Sequence, residues 1–205
     1  MKKGLTEVDN IKVLILSRVL RDGEAVSEYC KGLSDYLVDQ GDEVYLVGFD
    51  EGAHFSVREE VNVEKVHVNF DAQNVYDWAM IMNNEVKRVA REIFEEEGFD
   101  VVHANDWCCV PAGVTVSNLL EKPFLITIHS TENERGFSDQ HSAVISDMEW
   151  TAGYEADRII AHGDDTKNSL LFDLDIPDSK IEVVNPFDYR WKGQTRDIYL
   201  KEVNN

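Results

Sequence analysis

Short apolar runs rich in β-branched residues alternate along this chain with longer stretches in which apolar residues recur every three or four positions. That alternation predicts an α/β fold, doubly wound, with a mostly parallel sheet covered by helices on both faces. Lys12 to Leu16 (KVLIL) reads as the first buried strand. From Glu24 to Gln40 the apolar positions Val26, Cys30, Leu33 and Leu37 mark one face of a helix, and Gly41 supplies a left-handed stop. Glu43 to Phe49 and Val63 to Val68 read as the next two strands. Trp78, Met82, Val86, Val89 and Ile93 then form the stripe of a long helix ending at Glu95, Glu96, Glu97 and Gly98. The glutamate run opposes the helix dipole there and reads as solvated surface.

Phe99 to His103 is the following strand, with a helix over Trp107 to Leu120 and a break at Pro123. Phe124 to Ile128 (FLITI) has the strongest pattern of a buried strand. A polar loop leads into a helix over residues 138–154 and a strand over Arg158 to Ala161. Asp164 or Asp165 is expected to cap a short helix, and Ile181 to Val184 to close the sheet. The last segment, Asn185 to Asn205, has no partner element in the pattern; its Trp191, Ile198, Tyr199 and Leu200 are costly to expose, so it is expected to be mobile or to dock back on the helices.

The 43% hydrophobic content of the 205 residues suits one α/β core with a tail. No run of about 18 apolar residues is present, and Met1-Lys2-Lys3-Gly4 leads into polar residues rather than an apolar leader, so no membrane span and a soluble, cytoplasmic chain are expected. The net charge of −20 repels nucleic acid and anionic membranes. Three cysteines, two of them adjacent, read as buried free thiols, and the six scattered histidines supply no metal-ligand spacing. No metal site is expected.

Ligands of an open parallel sheet bind outside the carboxyl ends of its strands. Three polar loops belong there: Ser17 to Glu24, His103 to Trp107, and His129 to Gly136. The first holds only Gly23 where a dinucleotide site needs three spaced glycines, and neither a phosphate-binding loop nor a serine-nucleophile elbow occurs. His129 closes a buried strand among hydroxyl, carboxylate and guanidinium groups, while Asp106 either caps the helix beginning at Trp107 or meets a ligand. Trp107 is either an aromatic at the edge of the core or a platform for a sugar ring, and Glu149 lies on a polar helix where it can be solvated.

The runs VHANDW (102–107), FLITIHSTE (124–132) and DMEWTAGYEADRIIA (147–161), extended by YDWAM (76–80) and PDSKIEVVN (177–185), resemble the first domain of retaining glycosyltransferases of the glycogen and starch synthase type. The resemblance implies the N-terminal, Rossmann-like half of a two-domain glycosyltransferase B fold, with residues 1–188 as the domain and 189–205 as the start of a linker. It implies a carbohydrate acceptor held by this half and a nucleotide sugar shared with a C-terminal half, with no cofactor beyond that donor. His129 would line the reaction centre, with Asp106, Trp107, Glu132, Arg135, Glu149 and Gly23 binding substrate. Where the family places paired glycines after the first strand this chain has Glu24 and Ala25, and where it places a histidine this chain has Tyr29. A carboxylate at that point repels donor phosphates, which keeps a non-catalytic carbohydrate-binding or regulatory domain as the alternative. The isolated half is expected to transfer no sugar at a useful rate.

Overall fold

The computed structural model describes residues 10–69, 72–136 and 141–205. Seven strands form one sheet: β1 (Lys12–Ser17), β2 (Glu43–Phe49), β3 (Asn62–Val66), β4 (Val101–Asn105), β5 (Phe124–Ile128), β6 (Arg158–Ala161) and β7 (Ile181–Val183). All pair in parallel, in the order β3-β2-β1-β4-β5-β6-β7. The helices are α1 (Ala25–Asp39), α2 (Val75–Glu96), α3 (Val110–Leu120), α4 (Glu132–Arg135), α5 (Ser142–Glu155), α6 (Asp164–Phe172) and α7 (Trp191–Val203). This is the doubly wound α/β architecture expected from the alternation.

The chain winds outward from β1 to β3, then returns to β4 and winds the other way. Right-handed crossovers therefore put α2, α3, α5 and α6 on one face, where Val86, Ile93, Val116 and Leu170 join the core under them. The opposite face receives α1 alone from these connections. Val101, Leu125 and Ile160 on that face would face water, which a parallel sheet does not tolerate.

Helix α7 covers them. Its Tyr199 is fully buried, with Trp191, Ile198 and Leu200 packed on the same cluster. The segment read as having no partner element thus packs beside α1 on the open face. Arg196 clamps the buried Asp42 at 2.7 and 3.0 Å, and Asp42 also accepts the Ile11 N–H. The Tyr199 hydroxyl lies 2.5 Å from His103 Nδ1, and His103 Nε2 lies 2.8 Å from the Thr127 hydroxyl. Burial pushes the His103 pKa down to about 3, so the ring is neutral and bonded at both nitrogens.

Other expectations shift in detail. The predicted strand over 99–103 lies two residues later as β4, because Asp100 instead accepts the Lys12 N–H at the sheet's amino edge. The helix over 107–120 opens with a tight 3-10 turn at Trp107–Cys109 before α3. The loop after β5 contains the short α4, closed by a reciprocal capping box between Thr131 and Glu134. Gly163, not Asp164 or Asp165, precedes α6; the two aspartates occupy its first turn, where the positive end of the dipole favours them. Residues 1–4 and the start of the helix proposed from Ser138 lie outside the described residues; α5 begins at Ser142. Cys30, Cys108 and Cys109 are buried free thiols.

Replacing Tyr199 with Phe removes one hydroxyl and leaves a buried His103 nitrogen unpaired, so the chain should lose about 1–3 kcal/mol in urea denaturation. An unchanged midpoint would mean that the Tyr199–His103 hydrogen bond contributes nothing to holding α7.

Candidate functional site

The winding reverses between β1 and β4, and the two connections leave the sheet in opposite directions there, opening a crevice at its carboxyl edge. Arg18 follows β1 and Asp106 follows β4, one on each side. The exit from β1 runs close over β2: a Cβ on Gly48 would lie 2.8 Å from the Ser17 carbonyl oxygen, so only glycine fits under it. A cavity of about 250 Å³ opens here, with Arg18, Asp106, Trp107, Glu132 and Arg135 in its wall. Four of the residues singled out in the sequence therefore meet in one pocket, and Arg18 joins them.

Asp106 is the most strained residue of the site. Its backbone, at φ 66° and ψ 167°, lies in a region that essentially only glycine occupies. The conformation is fixed from both sides, because the Asp106 N–H donates to the Thr127 carbonyl of β5 and its own carbonyl accepts the Cys109 N–H. The side chain makes no capping hydrogen bond to the turn that follows. It is 8% exposed, and Oδ1 has no hydrogen-bond partner among the described residues. Burial raises the carboxyl pKa above the ordinary value, against the pull of Arg135 and Arg18.

Arg135 and Glu149 hold one wall of the pocket in place. Glu149 is fully buried on α5, contrary to the solvated position read from the sequence. Both of its oxygens accept the Glu132 N–H, at 2.9 and 3.0 Å, and Oε1 receives Arg135 at 2.9 Å. The Arg135 guanidinium also reaches Glu132 at 2.9 Å and the Ser130 carbonyl at 2.7 Å. A helical pattern on α5 could not reveal these partners, which come from another element. Glu149 supports the pocket from behind rather than lining it. Its desolvation outweighs the Glu132 N–H and Arg135, and pushes its pKa up to about 7.

His129 stands on the α1 side of the same edge. Its ring meets Tyr29 edge-on at 5.0 Å and His162 at 4.3 Å, and Tyr29 stacks on Trp191 of α7 at 4.5 Å. His129 is half-buried, and Nε2 of both His129 and His162 lies buried without a hydrogen-bond partner. Burial lowers both pKa values, that of His162 to about 4, so neutral imidazoles face this part of the edge. The sequence reading missed His162, although the signal was present: it follows Ala161 as His129 follows Ile128, and those two residues pair in register.

Gly23 does not join the pocket. It adopts φ +80° before α1, with its N–H donated to Glu28 at 2.8 Å. Glu24 caps α1 instead, accepting the Ser27 N–H at 2.7 Å while Arg18 reaches its other oxygen. Burial opposes its ionisation, but the Ser27 N–H and Arg18 outweigh that and hold its pKa below the usual carboxylate value. Among the described residues no helix is long and apolar enough to cross a membrane, and no group of His, Cys, Asp and Glu could hold a metal ion.

With the geometry in place, residues 26–187 match the profile of glycosyltransferase family 4. The chain belongs to that family. It is 29% identical over 169 residues to an uncharacterized glycosyltransferase of Methanocaldococcus jannaschii, an alignment covering 78% of this chain and 43% of the relative. The chain thus spans less than half the length of that relative. In fold it is similar to sucrose-phosphate synthase from Thermosynechococcus elongatus, at a TM-score of 0.70 and 11% identity over 85% of this chain and 48% of that one. A shorter chain of the same enzyme is covered to 98%, at a TM-score of 0.69 and 12% identity over 93% of this chain. Anabaena HepE in complex with UDP and glucose superposes at a TM-score of 0.57 and 16% identity, over 85% of this chain and 44% of that one.

Two outcomes test this geometry in the family 4 chain. Glycine relieves the backbone of position 106 whereas alanine does not, so Asp106→Gly should be more stable than Asp106→Ala by about 1 kcal/mol in thermal unfolding. A glycine variant no more stable than the alanine variant would remove the strain. The folded Glu149 carboxyl keeps its proton to a higher pH than the unfolded one, so this site's stability is full at low pH and is lost between about pH 4.5 and about 7. Glutamine does not titrate. Raising the pH from 5 to 8 should therefore shift the stability difference in favour of Glu149→Gln by about 1–3 kcal/mol, and parallel pH profiles would place Glu149 at an ordinary pKa.

Proposed function

We propose that this chain is the acceptor-side half of a glycosyltransferase of the glycogen and starch synthase type. It presents a carbohydrate hydroxyl for hexosyl transfer from a nucleotide diphosphate sugar, with retention of configuration. The reading rests on family 4 membership together with one observation: the crevice at the winding reversal is lined by polar groups converging on Asp106, whose buried Oδ1 has no partner among the described residues. In this reading residues 1–188 form the N-terminal Rossmann-like domain, and the passage to a donor half begins at 189. That passage first runs along this half as α7. The protein is taken to act in the cytoplasm.

The roles follow from the surroundings. Asp106 accepts a hydrogen bond from an acceptor hydroxyl, Trp107 forms the apolar wall for the ring, and Arg135 and Glu132 fix the other side of the pocket, with Glu149 holding them. His129, neutral and with Nε2 unpartnered, faces the transferred sugar as a hydrogen-bonding group rather than as a cation. The bond from the sugar to the diphosphate breaks as the bond to the acceptor oxygen forms; the nucleoside diphosphate leaves with the electron pair, and its freed oxygen takes the acceptor hydroxyl's proton. Most contacts to the diphosphate belong to the donor half, so the isolated chain should not turn over.

The second reading, a non-catalytic carbohydrate-binding domain, draws its support from Glu24, whose carboxylate occupies the start of α1. A transfer assay with a donor half supplied by fusion or in trans separates the two. Activity that falls on the order of a hundredfold in His129→Ala, with folding intact, is the outcome expected for the enzyme. No transfer by the wild-type pair, with sugar binding retained, would leave the binding domain.

A further inference from the structure

Several groups at the crevice that could seat a phosphoryl oxygen are already engaged by the chain's own carboxylates, Glu24 foremost. A phosphate is ordinarily held by free N–H groups at a helix start together with a guanidinium. Here the Ser27 N–H and the Ser27 hydroxyl meet Glu24 Oε2 at 2.7 and 3.0 Å, and Arg18 meets Glu24 Oε1 at 2.5 Å. Just ahead of that turn, the Gly23 N–H is held by Glu28. Glu24 thus makes the contacts that a bound anion would make.

The opposite wall repeats the pattern. Arg135 is held by Glu132 and Glu149, and the Glu132 N–H at the start of α4 is taken by Glu149. Both guanidiniums of the pocket are therefore compensated, and the buried group left over is the Asp106 carboxylate, an acceptor in need of a donor. An approaching phosphoryl group would meet Asp106 and Glu24, and among the described residues both guanidiniums of the pocket are already paired with carboxylates. A hydroxyl would supply the missing hydrogen bond.

We infer that the crevice selects an uncharged, hydroxyl-bearing sugar that donates to Asp106, and that Glu24 closes the anion seat before α1, so that sugars carrying a phosphoryl group at this position are refused. That this sugar is the acceptor substrate rests on the glycosyltransferase reading. The closure of the seat is a property of the chain's own atoms and can be measured without turnover.

The test is an amide NMR titration of the intact chain with inorganic phosphate at low ionic strength, comparing the wild type with Glu24→Gly and Glu24→Gln. The wild type should show no saturable shift at Ser27, Glu28 or Asp106. In Glu24→Gly, which frees Arg18 and the Ser27 N–H together, saturable shifts should appear there, with affinity raised about tenfold or more. Glu24→Gln, which keeps a neutral cap, should fall between them and serves if the glycine variant does not fold. Saturable phosphate binding by the wild type at these residues, or no gain in either variant, would overturn the inference. A reconstituted enzyme that fails to transfer sugar would sink the glycosyltransferase reading and leave the phosphate titration unchanged.

Discussion

A parallel sheet must be covered on both faces, and the winding of this one leaves that cover uneven. Four of the crossovers deliver helices to one side, and only α1 reaches the other. Much else depends on how the gap is filled. Helix α7 lies over β4, β5 and β6, and its Tyr199 enters a chain of polar contacts through His103 and Thr127 to the Tyr29 hydroxyl. Tyr29 touches the rings of His129 and His162. The helix that completes the core therefore also supports the ring cluster at the carboxyl edge.

The same edge is unusual in how it spends its charge. Glu24, Glu132 and Glu149 are buried, and each is matched by a guanidinium, a backbone N–H or both. Matching of this kind limits the desolvation penalty, and it also leaves the guanidiniums little capacity for an external anion. Asp106 is the exception, held by a strained backbone with one oxygen unpaired. Strain and an unsatisfied buried acceptor both cost stability, and both fall on one residue in the wall of the crevice.

The fold was largely legible in the pattern of apolar positions. The stripes on α1 and α2 sit in the core as their spacing implied, because Cys30, Leu33, Met82 and Val86 pack against strands whose own runs were plain. Helix α7 was not, since the surface it covers belongs to strands far away in sequence and its few apolar residues carry weak periodicity. Within the site, Asp106, Trp107, Glu132 and Arg135 could be found from their place after strands, whereas Arg18 and His162 occupy equivalent places without drawing notice. The burial of Glu149 was invisible, because it depends on an N–H and a guanidinium that α4 brings to it.

Three carboxylates at one edge sit in three different electrostatic states, and titration of the intact chain by carboxyl-selective carbon-13 NMR reads all three at once. Glu24 should titrate below the ordinary carboxylate range, Asp106 above it, and Glu149 near pH 7. Ordinary carboxylate pKa values for all three would mean that the edge is solvated and that neither the burial of Asp106 and Glu149 nor the pairing of Glu24 with Arg18 holds in solution.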